Sequence, residues 1–180
     1  DCFLSKNIEG TMKMNEDDKI YKNLKLYLFT EKVKLYMNGS LGKGEIEISS
    51  ILKVKEAVKY LNEKFKRSDI YIFRYISDLC NTNEHYEPIL EDKMLHLFKF
   101  PLFVNKYYSS IEFNYLIFQK KEFISELNTI EWLKTTFISK SLFIDPTKIE
   151  IMKDEEIIEN IEKIGKVLDN YEDKLYIETN

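Results

Sequence analysis

Polar and apolar residues alternate with a period of two along three early segments of the chain. Residues 24–29, 33–37 and 44–49 each place their apolar side chains on one face, as a strand with one buried face requires. The links between these segments are short and polar or contain glycine, which is typical of hairpins. The pattern predicts three antiparallel strands, and a fourth strand around Met12 and Met14 is expected to close the sheet.

The pattern changes twice in the middle of the chain. Residues 54–65 carry apolar side chains at helical spacing, whereas residues 70–76 form an aromatic and β-branched run that favours a strand. A polar loop with turn-forming residues follows, and we interpret residues 57–93 as an insertion. Three further runs favour β structure and predict a second sheet: residues 95–100, 103–108 and 111–118.

Two later stretches have the periodicity of amphipathic helices. Between residues 120 and 137 the apolar side chains recur every three or four positions, and this predicted helix holds Trp132, which we expect in the core. Asp154 is expected to cap a second helix over residues 154–171, which has an isoleucine-rich stripe. We expect this stripe to pack on the parent domain; the alternative is that it binds a partner protein.

The composition indicates one globular domain with an accessory element. The 180 residues are 44% hydrophobic, enough to bury one sizeable core. The formal net charge of −4 gives no whole-molecule basic field, so we expect no nucleic-acid partner. Cys2 and Cys80 provide no disulfide framework, and no apolar run reaches the roughly 20 residues that a membrane span needs. We therefore expect a cytoplasmic protein.

No group of residues in the sequence has the spacing of an active site. Gly42-Lys43-Gly44 is similar to a phosphate-binding loop, but no Ser or Thr follows the lysine and a strand is predicted next. Asp78, Glu91 and Lys93 have the order of some metal-dependent nucleases, yet they flank a predicted loop. The two histidines have no partner at metal-ligand spacing. The sequence therefore predicts no catalytic residue, no metal site and no cofactor.

The order of the segments resembles the pleckstrin homology family. The likeness to its first four strands is carried by Gly10-x-Met12-x-Met14, residues 25–29, Leu35-Tyr36 and residues 44–52. Glu131-Trp132-Leu133-Lys134 resembles the closing helix, in which that family carries its tryptophan. The resemblance implies a mainly β fold with helices: a two-sheet partial barrel over residues 8–137, capped by a C-terminal helix. Residues 138–180 are then an extension that holds the additional amphipathic helix.

The resemblance also implies a function. Members of this family bind an acidic phospholipid headgroup at the open end of the barrel. Carried onto this sequence, the headgroup site consists of Lys13, Lys19, Lys22, Lys25 and Lys34. Several ammonium groups that converge on a phosphate provide charge-assisted hydrogen bonds. The implied protein is a non-enzymatic peripheral module on the cytosolic face of a membrane, which recognises phosphatidic acid or a phosphoinositide.

Three other interpretations accompany this one. Residues 16–18 place three acids in the predicted headgroup loop, which favours an adaptor of the same fold that binds a protein partner without lipid recognition. The composition and Cys2 also resemble the acylated pleckstrin homology proteins of apicomplexan parasites, whose lipid anchor would attach upstream of Asp1. A thioredoxin-like or glutathione-transferase-like fragment is the last alternative, but residues 30–32 leave no room for the helix that it requires there.

Overall fold

The structure is a computed structural model that describes residues 3–5, 27–29, 32–77, 84–113, 117–118, 123–168 and 175–179. Its strands are β1 (Phe3–Ser5), β2 (Tyr27–Phe29), β3 (Lys32–Met37), β4 (Gly44–Ser49), β5 (Ile70–Ile76), β6 (His85–Pro88), β7 (Leu102–Tyr108), β8 (Ile111–Glu112), β9 (Ile117–Phe118), β10 (Ile124–Ser125), β11 (Ile149–Lys153), β12 (Glu156–Ile157) and β13 (Tyr176–Thr179). Its helices are α1 (Val54–Phe65), α2 (Ile130–Leu133), α3 (Ser139–Leu142) and α4 (Ile164–Val167), and a π-helical turn (Lys134–Ile138) joins α2 to α3. The described part is therefore rich in strands, with few helices.

One mixed sheet organises the first half of the described chain, with the strand order β4-β3-β7-β5-β6. β3 forms an antiparallel hairpin with β4 and pairs in parallel with β7, where Leu35 lies opposite Leu102. β5 is antiparallel to both β7 and β6. α1 connects β4 to β5 and packs on one face of the sheet. The sheet therefore consists of two hairpins, β3–β4 and β5–β6, joined by α1 and separated by β7, which is parallel to β3.

α1 packs on the sheet through the predicted Val54 and Leu61 together with Ala57, while Val58 and Phe65, which the spacing also predicted, are partly buried. Val54, Ala57 and Leu61 lie on one face of the helix and are buried against the sheet. The Glu56 carboxylate accepts a hydrogen bond from the Lys53 backbone N–H at 2.9 Å, which stabilises the first turn. The sheet residues of this first core are Leu35, Ile46, Ile48, Ile70, Ile72, Leu102 and Val104. The helix at 54–65 and the strand at 70–76 are thus confirmed.

A second core contains the last residue of β7 and the later elements of the chain. β11 is its middle strand and pairs antiparallel with both β12 and β13. Trp132 on α2 is buried and meets the Phe137 ring edge-on, with the ring centroids 4.9 Å apart. Trp132 is therefore a core residue, as expected. Its neighbours in this cluster include Tyr108, Ile124, Ile130, Ile149, Ile151, Ile164 and Ile177.

The predicted antiparallel meander is confirmed only at its hairpin of β3 and β4. β2 pairs with β1, and the second neighbour of β3 is β7. The alternation of polar and apolar residues shows that a strand has one buried face. The alternation does not show which distant strand pairs with that strand. The strand expected around Met12 and Met14 lies outside the described residues. Residues 57–93, interpreted as an insertion, contribute most of α1 and all of β5 and β6, and β5 is an inner strand of the sheet.

Two other element predictions are wrong because local hydrogen bonds override the pattern. The strand expected at 95–100 is a 3-10 turn, Leu95–Leu97, whose first backbone N–H bonds to the Leu52 carbonyl. The helix expected to begin near residue 120 begins at Ile130. There the Thr129 hydroxyl accepts a hydrogen bond from the Trp132 N–H at 3.1 Å and caps the helix, while β10 pairs with β7.

The amphipathic helix predicted over residues 154–171 does not form. Asp154 and Glu155, with φ of 52° and 67°, make the two-residue turn of the hairpin between β11 and β12, and α4 supplies a single short turn of helix. The predicted stripe is also divided, because Ile164 is fully buried whereas Ile157 is 61% exposed. The apolar residues that have helical spacing in the sequence therefore lie in a hairpin and a loop. The continuous helical face that was expected to pack on the parent domain, or alternatively to bind a partner, is therefore not formed by residues 154–168.

Candidate functional site

The loop between β6 and β7 displays large apolar side chains to solvent. Its exposed members are Leu90 (58%), Met94 (40%), Leu97 (52%) and Phe100 (38%). Ile89 and Leu95 fix the loop from below, since both are buried and their backbone N–H groups bond to Ile72 and Leu52 at 3.0 Å. The loop is therefore held in place while it exposes apolar surface.

Leu90, Leu97 and Phe100 line a groove of about 470 Å³, which we call the Phe100 groove. Its apolar wall consists of Ile89, Leu90, Leu97, Phe98 and Phe100. Its charged rim consists of Arg74, Glu87, Glu91, Lys93 and Lys99. The groove thus combines apolar and aromatic surface with charges at its edge, as the docking site of a partner requires.

Arg74 and Glu87 form the most ordered ion pair of the rim. The guanidinium donates from Nε and Nη2 to the same Glu87 carboxylate oxygen, at 2.9 and 2.5 Å, and lies 5.9 Å from the centroid of the Phe100 ring. Partial burial acts to raise the pKa of Glu87, but hydrogen bonds from Arg74 and His85 outweigh it and hold that pKa below its usual value. Glu87 is therefore ionised near neutral pH.

The lysines of the rim differ in their pairing. Lys93 forms an ion pair with Glu91, and this contact lowers the pKa of the Glu91 carboxyl. Lys99 forms no ion pair with any described residue, although it lines the same groove. The rim consequently offers one cation that a ligand can neutralise.

A second cavity of about 390 Å³ lies between β6 and the helix that holds Trp132, and we call it the Trp132 pocket. Its walls are mainly aromatic and include Tyr86, Phe123, Trp132 and Phe137. The His85 ring stacks on the indole with 5.6 Å between centroids, and its Nε2 lies 3.3 Å from Glu87 Oε1. A concave aromatic site with few polar groups at a junction between two cores is typical of a ligand pocket.

The π-helical turn supplies one wall of this pocket. Thr136 and Phe137 line the cavity, whereas Lys134 from the same turn is buried and donates to Asn160 Oδ1 at 3.0 Å. π-helical turns are rare and occur frequently at functional sites. The turn therefore strengthens the assignment of this pocket as a candidate site.

The outer edge of β6 is closed to strand pairing. The Asn128 side chain acts like a neighbouring strand: its Oδ1 accepts from the Tyr86 N–H at 2.7 Å and its Nδ2 donates to the Tyr86 carbonyl at 3.2 Å. Pro88, two residues on, has no N–H to donate. A ligand at these cavities must therefore bind through side-chain contacts instead of extending the sheet.

Glu126 fixes the two cores relative to each other. It is buried, and its Oε1 accepts hydrogen bonds from the Ser40 N–H at 2.9 Å, the Ser40 hydroxyl at 3.0 Å and the Lys106 N–H at 3.1 Å. Gly39, with φ of 68°, allows this approach, because a Cβ at that position would lie 2.3 Å from the same oxygen. The walls of the Trp132 pocket, which come from both cores, are thereby held in register.

Of the five lysines in the predicted headgroup site, the structure describes Lys34. Lys13, Lys19, Lys22 and Lys25 lie outside the described residues. Lys34 is exposed on β3 and forms an ion pair of 2.8 Å with Glu45 on β4, and this hydrogen bond raises the pKa of the lysine. The one described member of the set is therefore already paired with an acid.

Sequence reasoning missed both cavities. The apolar composition of residues 95–100 predicts a strand of the second sheet, although Lys93 and Lys99 are a visible signal for an exposed surface. Asp78 lies outside the described residues, and Glu91 and Lys93 pair with each other. The described residues contain no group of three or more His, Cys, Asp or Glu side chains arranged to hold a metal ion.

Comparisons with protein-family models and with curated proteins find no match to this chain. Among the described helices, none has the length and apolarity needed to cross a membrane. The function is therefore argued from the two cavities alone.

Proposed function

We propose that this chain is a non-enzymatic adaptor module that binds an extended peptide segment of a partner protein in the Phe100 groove. The observation that carries the proposal is the exposure of Leu90, Leu97 and Phe100 around one groove. Soluble proteins seldom display contiguous apolar side chains of this size unless the surface is used for binding. Aromatic side chains and arginine, which this groove combines, are also the residues that interfaces favour.

The charges of the rim indicate what kind of peptide fits. Among the described residues, three cations and two acids line the groove, and all but Lys99 are engaged in pairs within it. A peptide with apolar side chains and one acidic residue would bury its apolar surface and neutralise Lys99. We therefore propose an acidic, apolar segment as the ligand, and a segment rich in lysine or arginine as a poor one.

The test is selection of ligands from a displayed library of random peptides, followed by affinity measurements with a selected peptide. We expect enrichment of peptides that combine apolar and acidic residues. Phe100→Ala is expected to weaken their binding about tenfold or more, as truncation of a central aromatic contact does. Tyr60→Ala is the matched control, because Tyr60 is a similarly exposed aromatic residue (42%) on α1 outside the groove. Failure to enrich any peptide, or equal binding by Phe100→Ala, would refute the proposal.

An acidic lipid surface is the second candidate, and one observation favours it. Lys93 and Lys99 lie beside the exposed Leu97 and Phe100, and apolar side chains flanked by lysines suit an anionic membrane. The pleckstrin homology fold and its headgroup lysines belong to this second proposal. The acids of the same rim, Glu87 and Glu91, weigh against it and favour the peptide.

Sedimentation with vesicles separates the two candidates. A lipid-binding protein would pellet with phosphatidylcholine vesicles that contain phosphatidic acid or a phosphoinositide, and it would not pellet with neutral vesicles. Combined Lys22→Glu and Lys25→Glu substitutions would abolish pelleting that depends on the predicted headgroup lysines and leave peptide binding unchanged, whereas pelleting through Lys93 and Lys99 would survive them. Equal pelleting with neutral and acidic vesicles would remove the lipid proposal.

A further inference from the structure

We infer that the Trp132 pocket receives an uncharged aromatic side chain of the same peptide that occupies the Phe100 groove. This inference rests on the proposed peptide-binding function and adds a second anchor to it. The two cavities share one wall, formed by Glu87, Pro88 and Leu90. An extended peptide that leaves the groove across this ridge therefore meets the opening of the pocket.

The closed edge of β6 determines how such a peptide is held. Because the Asn128 amide occupies the backbone groups of Tyr86 and Pro88 lacks an N–H, the peptide cannot bind as an additional strand. Recognition must come from side chains that enter cavities on the two sides of the ridge. Two anchors, one in the groove and one in the pocket, satisfy this requirement.

The chemistry of the pocket selects the side chain. Among the described residues of its wall, the one carboxylate is that of Glu87, which is already engaged by Arg74 through Oε2 and by His85 through Oε1. The described wall therefore offers no free charge to balance a charged ligand group, and burying such a group unpaired is costly. The rings of Trp132 and Phe137, which stand edge-on to each other, instead offer stacking and edge contacts to a third aromatic ring.

Trp132 makes this inference directly measurable. It is the single tryptophan of the chain, so its indole N–H gives one identifiable signal in a ¹⁵N–¹H spectrum of the full chain. N-acetylphenylalaninamide serves as the aromatic probe and N-acetylalaninamide as its control. We expect the phenylalanine probe to shift the indole signal in a saturable manner and the alanine probe to leave it unmoved. Absence of a saturable shift up to the solubility limit of the probe would overturn the inference.

Variants that fill the cavity test whether the probe binds inside the Trp132 pocket. Thr136→Phe places a ring inside the pocket and is expected to abolish the shift, whereas Ser141→Phe adds the same ring at an exposed position of α3 and should preserve it. If Thr136→Phe does not fold, the smaller Thr136→Leu replaces it and is expected to weaken the probe at least severalfold. An unchanged shift in a folded Thr136 variant would contradict the pocket as the binding site.

Measurements with the peptide selected for binding to the Phe100 groove then test this inference separately from the proposed function. We expect its binding to shift the Trp132 indole signal and to be weakened about tenfold by Thr136→Phe as well as by Phe100→Ala. A peptide that requires Phe100 but leaves the indole signal unmoved would overturn the second anchor and keep the proposed function. If selection yields no peptide, the proposed function fails and the inference fails with it.

Discussion

Replacement of Glu155 by glycine is expected to stabilise the protein. Asp154 and Glu155 form the two-residue turn between β11 and β12, with Lys153 opposite Glu156, and both turn residues have positive φ angles of 52° and 67°. Turns of this kind favour glycine, because the Cβ of any other residue crowds the backbone in the left-handed region. The sequence places no glycine there, so the turn contains strain that a substitution can remove.

The size of the gain follows from two opposing terms. A left-handed conformation costs a non-glycine residue roughly 1–2 kcal/mol, and glycine adds an entropic cost of roughly 0.5–1 kcal/mol because the unfolded chain becomes more flexible. The difference between the two terms spans roughly 0–1.5 kcal/mol, so the expected net increase in the free energy of unfolding is about 0.75 kcal/mol. For a chain of this length, about 1 kcal/mol corresponds to a rise in Tm of about 2–4 °C.

Urea denaturation followed by circular dichroism measures this difference, and Glu155→Ala is the control. Alanine removes the same charge from the acidic turn but keeps a Cβ, so it should give none of the backbone gain. The sign of the effect is decisive. If residues 154–171 were helical, glycine near the start of the helix would instead destabilise the protein. A lower stability of Glu155→Gly would therefore refute the hairpin and restore the helix.

Two further predictions concern the junction of the cores and the sheet. Glu126→Ala should lower the free energy of unfolding by about 2 kcal/mol, because the N–H groups of Ser40 and Lys106 lose a charged acceptor in partly buried hydrogen bonds. In the same urea assay, the exposed Glu63→Ala should change the free energy of unfolding by less than about 0.5 kcal/mol, and equal effects would contradict the role assigned to Glu126. The hydrogen bond from Tyr75 to Glu84 raises the pKa of Tyr75 to about 12, so its stabilisation is complete below pH 10 and is lost as the pH rises through about 12. Glu84→Gln should lower that pKa, measured by tyrosinate absorbance as a difference from Tyr75→Phe.

Periodicity succeeded where one buried face decides the structure of a segment. Val54, Ala57 and Leu61 are buried at their helical spacing, and Leu35, Ile46 and Ile48 are buried at the alternate positions of two paired strands. In each case the side chains that face the core follow the period of the backbone. The hairpin of β3 and β4, α1, β5 and β7 could therefore be predicted from the sequence.

Long-range pairing and short-range capping could not be predicted in the same way. The parallel contact of β3 with β7 joins segments more than 60 residues apart, and neither segment contains a signal for the other. The helical spacing of apolar residues runs without a break from Phe123 to Ile130. In the structure, however, the segment forms strand β10 before Thr129 and helix α2 after it, because Thr129 caps the helix. The two cavities depend on this strand pairing and helix capping, which the sequence did not predict, because these features bring β6 next to α2.

The errors of the sequence prediction also bear on the candidate site. Residues 95–100 have the composition of a buried strand, but Leu97 and Phe100 are exposed beside a 3-10 turn. Such a conflict between local pattern and observed environment is expected where a surface is used for binding. Ile157 is similarly exposed, but acidic residues surround it in the hairpin of β11 and β12. Among the described residues, the Phe100 groove joins a conflict of this kind to a lysine that pairs with no described acid and to an adjoining aromatic pocket, and this combination makes it the stronger docking surface.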